Sequence, residues 1–377
     1  MYRKQTFSIH ISLENTVTKL SPLTALDPRR FETTAILKKT ASAGRLLAEL
    51  KGVSASILNQ AILINTLALQ EAKDSSEIES IVTTQDELFR DGLFPESDGG
   101  SASAKEVRRY VQALGTGFAL VQSQSLLTTR TILEIQAVLE QNTAGYRKLP
   151  GTALKNNFGE TVYTPPQNPS EILGLMADLE RFVNDPDVFE ADPLVKMALM
   201  HHQFESIHPF YDGNGRTGRI LNVLYLVQQG LLDSPILYLS RFLVRTKSDY
   251  YRLLQGVHGG EGWEDWTLYM LTAVEETARE SLKTVSGIQA ALLDYKRRIR
   301  TEYKFYSQDL INNLFMHPYT KIEFVEQELK VSRLTASKYL EALTDGGFLE
   351  KRRSGRANYY INTALYQLLT QDEASGR

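Results

Sequence analysis

The spacing of apolar residues along the chain predicts a mainly α-helical protein. Between residues 30 and about 73, apolar positions recur as in Ile57, Ala61, Ile64 and Ala68, which is the period of one helix face. Similar patterns predict helices at about 105–122, 128–143, 170–184 and 193–207. The first 30 residues have no sustained period and are predicted as an irregular arm. The segment 91–104 is rich in Gly, Ser and Asp, which is typical of a loop.

A short β-hairpin is predicted just before the helix at 170–184. The run Thr161, Val162, Tyr163 and Thr164 is β-branched and aromatic, which suits a strand. Two prolines follow directly, and they stop strand pairing on one side. The simplest interpretation is a short hairpin on the surface.

The pattern changes from about residue 305. A helix is predicted from Asp309, then two short helices at 322–329 and 332–344, and then a hairpin with strands near 348–352 and 358–361. This order resembles a winged-helix domain with 332–344 as recognition helix. Seven basic and three acidic residues lie between 330 and 356, an excess that suits the phosphate backbone of DNA. Protein contact or dimerisation stays open as another use of the same fold.

Chemically active side chains are concentrated between His208 and Arg219, in the run HPFYDGNGRTGR. If a helix begins just after Asp212, its free amides and dipole form an anion-binding site. Gly213 and Gly215 let the backbone approach a ligand closely. Arg216 and Arg219, three residues apart, project from the same side of the first turn, and guanidinium groups suit phosphate oxygens.

The same run also holds a metal ligand and a base. Asp212 is a hard oxygen ligand of the kind that Mg²⁺ prefers. His208 can accept a proton near neutral pH and is therefore a candidate general base. Together with the two arginines, these groups suit a nucleoside triphosphate that is attacked at phosphorus.

The run HPF-x-DGNGR-x-x-R resembles the signature of Fic-domain proteins and matches it at every fixed position. Such proteins typically move the AMP part of ATP onto a Tyr, Thr or Ser hydroxyl of a target protein. The resemblance implies that His208 is the base and that Asp212 binds Mg²⁺. The ATP-binding set that it implies is Gly213, Asn214, Gly215, Arg216, Thr217, Gly218 and Arg219.

A second resemblance concerns regulation. Fic proteins are often silenced by a helix with the pattern S/T-x-x-x-E-G/N, whose Glu pairs with the second arginine of the signature. Ser75 and Glu79 have this spacing and lie on one helix face. Ser80 stands where Gly or Asn is usual. Because the segment precedes the signature, the chain resembles the class with an N-terminal inhibitory helix.

The resemblance also gives the hairpin a role, as a flap onto which the target segment adds as a strand. Edge addition uses backbone hydrogen bonds and tolerates varied target sequences. The Fic resemblance extends to about residue 285, and together with the winged-helix-like pattern it predicts an N-terminal arm and inhibitory helical region (1–104), a Fic core (105–290) and a winged-helix-like domain (291–377). Tyr250 and Tyr251 are either part of an adenine wall or core aromatics. His201, His202, Trp263 and Trp266 are interpreted as packing or hydrogen-bonded structural residues rather than ligands.

Composition narrows the class of protein. The chain has 377 residues, no cysteine and a net charge of −3, so disulfides, thiolate catalysis and cysteine-bound zinc are excluded. There is no apolar run of about eighteen residues and no signal-peptide pattern at the N-terminus. We therefore expect a cytoplasmic location without membrane contact.

Three functions fit the sequence. The first is a protein adenylyltransferase with ATP as substrate and Mg²⁺, held in check by Glu79. The second is a DNA-binding regulator whose Fic domain senses nucleotide, but the intact His208 favours an enzyme, since a sensor needs no base. The third is a Fic enzyme that transfers another phosphate-containing group or removes AMP. Self-modification and a homodimer are further expectations that the sequence leaves open.

Overall fold

The computed structural model of the chain describes residues 20–93, 101–156, 158–354 and 357–375. Over these ranges the protein is mainly α-helical with two small β-sheets, so the predicted fold class is confirmed. The helices are α1 (Thr34–Ala55), α2 (Gln60–Ile78), α3 (Gln85–Leu93), α4 (Ala102–Gln124), α5 (Thr129–Glu140), α6 (Pro169–Asn184), α7 (Pro193–Ile207), α8 (Asn214–Gln228), α9 (Leu239–Arg245), α10 (Lys247–Gly256), α11 (Trp263–Glu302), α12 (Gln308–Met316), α13 (Ile322–Leu329), α14 (Arg333–Asp345) and α15 (Thr363–Ser375). The strands are β1 (Leu154–Lys155), β2 (Thr161–Tyr163), β3 (Tyr319–Thr320), β4 (Leu349–Ser354) and β5 (Ala357–Asn362).

The predicted helical region between 30 and 73 consists of two helices, α1 and α2. The side chain of Asn59 accepts a hydrogen bond from the amide of Ala61 at 3.1 Å and so starts α2 afresh. This cap resets the helical phase, and the predicted face was wrong in part, because Ile57 lies outside both helices. The core face of α2 is made instead by Ile62, Leu63, Leu67 and Ala68.

The segment between α3 and α4 is shorter at both ends than the loop predicted at 91–104. Helix α3 continues to Leu93, and α4 begins at Ala102, where Ser101 Oγ accepts from the amide of Ala104 at 3.1 Å. Residues 94–100 and the first 19 residues of the predicted arm lie outside the described ranges.

Two buried helices form the centre of the molecule. Every residue of α7 from Leu194 to Ile207 is buried, and α8 is buried from Arg216 to Leu226. A helix that is enclosed on all sides belongs in the core of a larger protein. The segment 208–213 connects these two helices, so the predicted site stands between the two buried helices.

A long helix joins the centre to the C-terminal part. Helix α11 has 40 residues and is therefore about 60 Å long. It packs along α1 and α7 at one end and against α12 and α15 at the other. The boundary predicted at 290/291 falls inside this helix.

The C-terminal part contains a three-stranded antiparallel sheet in the order β3-β5-β4. Strands β4 and β5 form the predicted hairpin, with Leu349 opposite Asn362. Helices α12, α13 and α14 precede the hairpin in the predicted order, while α15 was not predicted. The winged-helix interpretation of this unit stays a prediction.

The C-terminal unit contacts α2 and α3. The Gln70 side chain donates to the carbonyl of Leu369 at 2.7 Å, and both residues are buried. The hydroxyl of Tyr319 donates to Asp86 Oδ1 at 2.6 Å, and its ring lies 5.3 Å from that of Phe89. Helix α2 is therefore enclosed between the central helices and the C-terminal unit. Among the helices in the ranges described, none combines the length and the apolar composition needed to cross a bilayer.

Candidate active site

The loop that carries His208 is fixed at both ends. His208 ends α7 in the left-handed region, with φ 47°, and its amide donates to the carbonyl of Phe204 at 3.0 Å. On the other side, Asn214 Oδ1 accepts from the amide of Phe210 at 2.8 Å, and its Nδ2 donates to the Phe210 carbonyl at 2.9 Å. The Asn214 side chain therefore holds the loop, while its backbone opens α8.

Arg147 supports the same loop, and sequence analysis missed it. Its Nε donates to the carbonyl of His208 at 2.8 Å, and its Nη2 donates to the carbonyls of Ile207, at 3.2 Å, and Pro166. Its amide donates to the Pro209 carbonyl at 2.8 Å. The side chain is buried, and burial lowers the pKa of Arg147 below its usual value. A lone arginine in a non-helical stretch carries no sequence signal for this role.

A cavity of about 350 Å³ opens beside the start of α8, and its lining includes His208, Asp212, Gly213, Gly215, Arg216 and Glu79. Helix α8 begins at Asn214, as predicted. Gly213 has φ +75°, and a Cβ there would lie 2.4 Å from Glu140 Oε1. A Cβ on Gly215 would lie 2.2 Å from Glu79 Oε1. Gly213 suits its left-handed conformation, and a side chain at either glycine would displace a neighbouring carboxylate.

Arg219 is enclosed by the predicted inhibitory pair. Its Nε donates to Ser75 Oγ at 2.7 Å, and its Nη2 donates to the Ser75 carbonyl at 2.9 Å and to Glu79 Oε1 at 2.8 Å. Burial, the largest single effect, opposes the charge of Arg219, but Glu79, Tyr250 and Glu205 together outweigh it and raise the pKa of the arginine. Arg219 in turn lowers the pKa of Glu79 against the opposing effect of burial. The pair is thus charged at neutral pH.

Arg216 is also paired with carboxylates, which sequence analysis did not foresee. Its Nη1 donates to Glu106 Oε2 at 3.1 Å, and its Nη2 donates to Glu140 Oε1 at 2.9 Å. Burial raises the pKa of Glu140, and the charge of Arg216 works in the other direction. Glu106 comes from α4 and Glu140 ends α5, so three separate elements meet at this guanidinium.

His208 and Asp212 stand at the rim of the cavity. Burial, followed by the charge of Arg147, lowers the pKa of His208 to about 4, so the imidazole is neutral at pH 7 and can accept a proton. Asp212 is exposed, and its Oδ1 accepts from the amide of Gly213 at 2.7 Å.

The predicted hairpin forms from β1 and β2, with Leu154 opposite Tyr163. Tyr163 turns towards the core: its ring stacks on His258 with centroids 3.9 Å apart, and its hydroxyl donates to the Ser206 carbonyl at 3.0 Å. Thr161 and Thr164 are exposed, and Thr164 lies beyond the strand. Tyr163 thus anchors the hairpin beside the His208 loop.

Comparisons with known proteins agree with this arrangement. Residues 37–119 match the model of the Fic/DOC family N-terminal region, residues 126–226 that of the Fic/DOC family, and residues 292–365 the C-terminal domain of SoFic-like protein adenylyltransferases. The chain belongs to the Fic/DOC family. The last of these matches covers α12, α13, α14 and the C-terminal sheet, so this unit is similar to the C-terminal domain of SoFic-like proteins.

Named relatives are distant. Protein adenylyltransferase fic-1 of Caenorhabditis briggsae is 27% identical over 166 residues, which cover 42% of this chain and 31% of the relative. Protein adenylyltransferase Fic of Drosophila melanogaster is 27% identical over 168 residues, which cover 43% of this chain and 32% of the relative. The chain therefore matches about a third of the length of these curated relatives.

Solved structures show the same fold. A Fic family protein from Desulfovibrio desulfuricans G20 superposes with a TM-score of 0.55 and 22% identity, covering 87% of this chain and 96% of that one. A Fic-domain signalling protein from Bacteroides thetaiotaomicron superposes with a TM-score of 0.53 and 20% identity, covering 65% of this chain and 95% of that one.

The departure from the Fic inhibitory pattern at Ser80 has a backbone explanation. Ser80 has φ 66°, in the left-handed region just after α2. Gly and Asn enter this region with little or no penalty, which is why they are usual after a helix end. Ser80 adopts the same conformation and keeps Glu79 on Arg219.

Some residues that the Fic signature assigns to ATP lie away from the cavity. Neither Thr217 nor Gly218 is among the residues that line the cavity: Thr217 is buried, and a Cβ on Gly218 would lie 2.4 Å from Glu205 Oε1 of α7. Tyr250 is buried, with its hydroxyl 3.0 Å from His201 Nε2, which favours the core interpretation. Tyr251 is 39% exposed and remains accessible. His202 and Trp266 are buried structural residues as predicted.

Proposed function

We propose that this Fic protein transfers AMP from ATP to a Tyr, Thr or Ser hydroxyl of a target protein and that Glu79 restrains it. The observation that carries the proposal is that neutral His208, the first turn of α8 and Arg216 line one cavity. Its volume, about 350 Å³, lies within the range of small-molecule sites.

The reaction follows from this arrangement. His208 takes the proton of the target hydroxyl, whose oxygen bonds to the α-phosphorus of ATP. The bond from that phosphorus to the oxygen bridging to the β-phosphate breaks, and pyrophosphate leaves. The amides at the start of α8 and the arginines stabilise the phosphate charge, so catalysis depends mainly on position and electrostatics.

Magnesium fits the charges of the site. Glu79, Glu106 and Asp212 line the cavity together with Arg216, so carboxylates outnumber guanidinium groups along the part of the wall described. Asp212 alone would hold the metal, which is usual for Mg²⁺ bound through one or two carboxylates plus phosphates. When bound, the ion neutralises phosphate charge.

Inhibition is the second part of the proposal. The Glu79 carboxylate occupies the guanidinium of Arg219 and adds negative charge where the distal phosphates would bind. ATP that binds out of line for attack loses rate, and a misplacement of about 1 Å costs about a hundredfold. The hairpin β1–β2 is proposed as the flap, with the target adding as a strand.

The C-terminal unit is proposed as a winged-helix domain on its order of elements. Several basic residues there are paired: Arg333 with Glu323, Lys351 with Glu341 and Arg352 with Glu350. These ion pairs reduce the positive charge available to DNA, so we favour a protein-contact role. Cytoplasmic location, self-modification and a homodimer remain proposals.

The test uses ATP labelled at the α-phosphate, with Mg²⁺ and a cell lysate as the source of targets. Wild type, Glu79→Gly and Glu79→Gly/His208→Ala are compared. We expect label on protein with Glu79→Gly, at least tenfold less with wild type, and none without His208. Glu77→Gly is the matched control, since it also places glycine near the end of α2 but leaves Arg219 paired.

Other outcomes separate the parts of the proposal. Equal labelling by wild type and Glu79→Gly removes the inhibitory role and keeps the enzyme. No labelling by any variant contradicts AMP transfer and favours another phosphate-containing group or a nucleotide sensor.

A further inference from the structure

We propose that Glu140 is a positioning residue that holds Arg216 in the phosphate-binding wall of the cavity. The inference rests on the proposed function, because it assigns a role in binding the phosphates of ATP. Glu140 lies outside the Fic signature, 76 residues before Arg216 in the chain. It is the last residue of α5.

Arg216 is held from two sides. The Arg216 side chain is 7% exposed, and its Nη2 contacts Glu140 Oε1 at 2.9 Å while its Nη1 contacts Glu106 Oε2 at 3.1 Å. Charge-assisted hydrogen bonds of this length are stronger than neutral ones and fix the plane of the guanidinium. The orientation of Arg216 is therefore set by α4 and α5, not by α8 alone.

Glu140 is the stronger of the two anchors. Its side chain is 14% exposed, against 34% for Glu106. Solvent screens an ion pair less when both partners are buried, and removing one partner leaves the other charge uncompensated. Loss of Glu140 should therefore disturb Arg216 more than loss of Glu106.

The Glu140 carboxylate also touches the start of α8. Its Oε1 lies 2.4 Å from the place where a Cβ on Gly213 would stand. The absence of a side chain at Gly213 makes room for it. Glu140 thus fills the space between the anion-binding turn and Arg216 and fixes their relative position.

A carboxylate on an arginine can instead act as an inhibitor, as proposed for Glu79. The donors of Arg216 argue against this for Glu140. A guanidinium has five N–H donors, and the two pairs use only two of them. In the part of the chain described, Arg216 Nε has no hydrogen-bond partner. That nitrogen is buried, so a phosphate that leaves Glu140 in place would bind the second hydrogens of Nη1 and Nη2 of Arg216, which lines the cavity.

A positioning role and an inhibitory role of Glu140 predict opposite changes in kcat/KM for ATP when its carboxylate is removed. The experiment measures AMP transfer against ATP concentration in the Glu79→Gly background. If Glu140 positions Arg216, Glu140→Ala lowers kcat/KM for ATP by about ten- to a hundredfold, as expected for a misplaced binding group. Glu140→Gln keeps an acceptor oxygen and should restore most of the loss. A gain in kcat/KM with Glu140→Ala would overturn the proposal in favour of inhibition.

Glu134→Ala is the matched control on the same helix. Glu134 pairs on the surface with Arg130 at 2.9 Å and is 38% exposed. Its replacement should leave kcat/KM within about twofold of the parent, because exposed pairs contribute little.

A double-mutant cycle separates positioning from a merely structural role. In the Arg216→Ala background, Glu140→Ala should have no further effect on kcat/KM, because the group that it positions is gone. Equal losses with and without Arg216 would contradict the proposal and assign Glu140 to stability alone.

Binding of Mg²⁺–ATP, measured by calorimetric titration, keeps the test independent of AMP transfer. If the Glu79→Gly parent binds ATP without labelling protein, the proposed function fails, but Glu140→Ala should still bind at least tenfold more weakly. Unchanged affinity in Glu140→Ala overturns the inference, and a parent that binds no ATP overturns both proposals.

Discussion

At the scale of single residues, the charge state of each group around the cavity follows from its neighbours. His208 is neutral because its ring is buried beside Arg147, whereas Glu79 is charged because it faces Arg219. The site thus holds a free base and a neutralised arginine at the same pH. Removal of one group changes what the others can do.

The pH dependence of transfer tests the state of His208. Its pKa is lowered to about 4, so the active neutral form is lost only as the pH falls through that value. Since Glu79 itself raises the pKa of His208, we expect the acid limb of kcat/KM, measured with Glu79→Gly, at or below about pH 4 instead of near the usual 6.5 for histidine.

Glu205 provides the control for this profile. Burial raises the pKa of Glu205 to about 7, so titration of this carboxyl can add a second limb to the pH profile of kcat/KM. Glu205→Gln should leave the limb near pH 4 unchanged. A limb near 6.5 in both variants would contradict the neutral, buried His208.

At the scale of elements, Arg147 ties three segments together. Its contacts reach the end of α7, the His208 loop and Pro166, which follows the hairpin. The base and the proposed flap therefore share one support.

Replacement of this support should be costly. Arg147→Met keeps the length of the side chain but leaves the carbonyls of Ile207, His208 and Pro166 without their donor. Buried groups that lose a charged partner cost on the order of 3 kcal/mol in total. Urea unfolding should show this loss, with AMP transfer reduced in the same variant.

Arg130→Met is the control, since Arg130 is 85% exposed. This replacement should change the free energy of unfolding by less than about 0.5 kcal/mol. An equal loss in both variants would remove the special role of Arg147.

Local patterns predicted the elements that carry the site but not all of their contacts. The Asp-Gly-Asn-Gly turn places the start of α8 correctly, because the left-handed Gly213 is a local requirement. The contact of Glu79 with Arg219 was expected from the family resemblance, not from the residues alone. Glu106, Glu140 and Arg147 were missed, because helix periodicity does not tell which distant carboxylate or carbonyl will meet a buried arginine.

At the scale of the whole molecule, the C-terminal unit contacts α3 through Tyr319. Tyr319 is 3% exposed, packs on Phe89 and donates to Asp86. Tyr319→Ala should lower the free energy of unfolding by about 3–5 kcal/mol, as for other buried aromatic residues.

Tyr319→Phe keeps the ring and loses only the hydrogen bond, so its free energy of unfolding should fall by only about 1 kcal/mol. Limited proteolysis should cut the Tyr319→Ala protein faster than wild type around α3. Equal protection of the two Tyr319 variants would show that the ring contact does not hold the unit in place.

The long-range organisation was less predictable than the site. Helix α11 was not foreseen as one element of 40 residues, and α15 was not foreseen at all. Both pack over a long distance on helices far away in sequence, and such packing leaves no local signal beyond amphipathic spacing.

Because α2 is enclosed by distant parts of the chain, a recombinant fragment that omits them loses contacts of α2 or of the cavity. A fragment cut to residues 126–226 would keep His208 and both arginines but would lose Glu79, Ser75 and Glu106. One that stopped at residue 290 would end inside α11 and remove Leu369, the partner of Gln70. High activity in either fragment would reflect missing carboxylates or a loosened α2, and would say little about how the full chain is switched on.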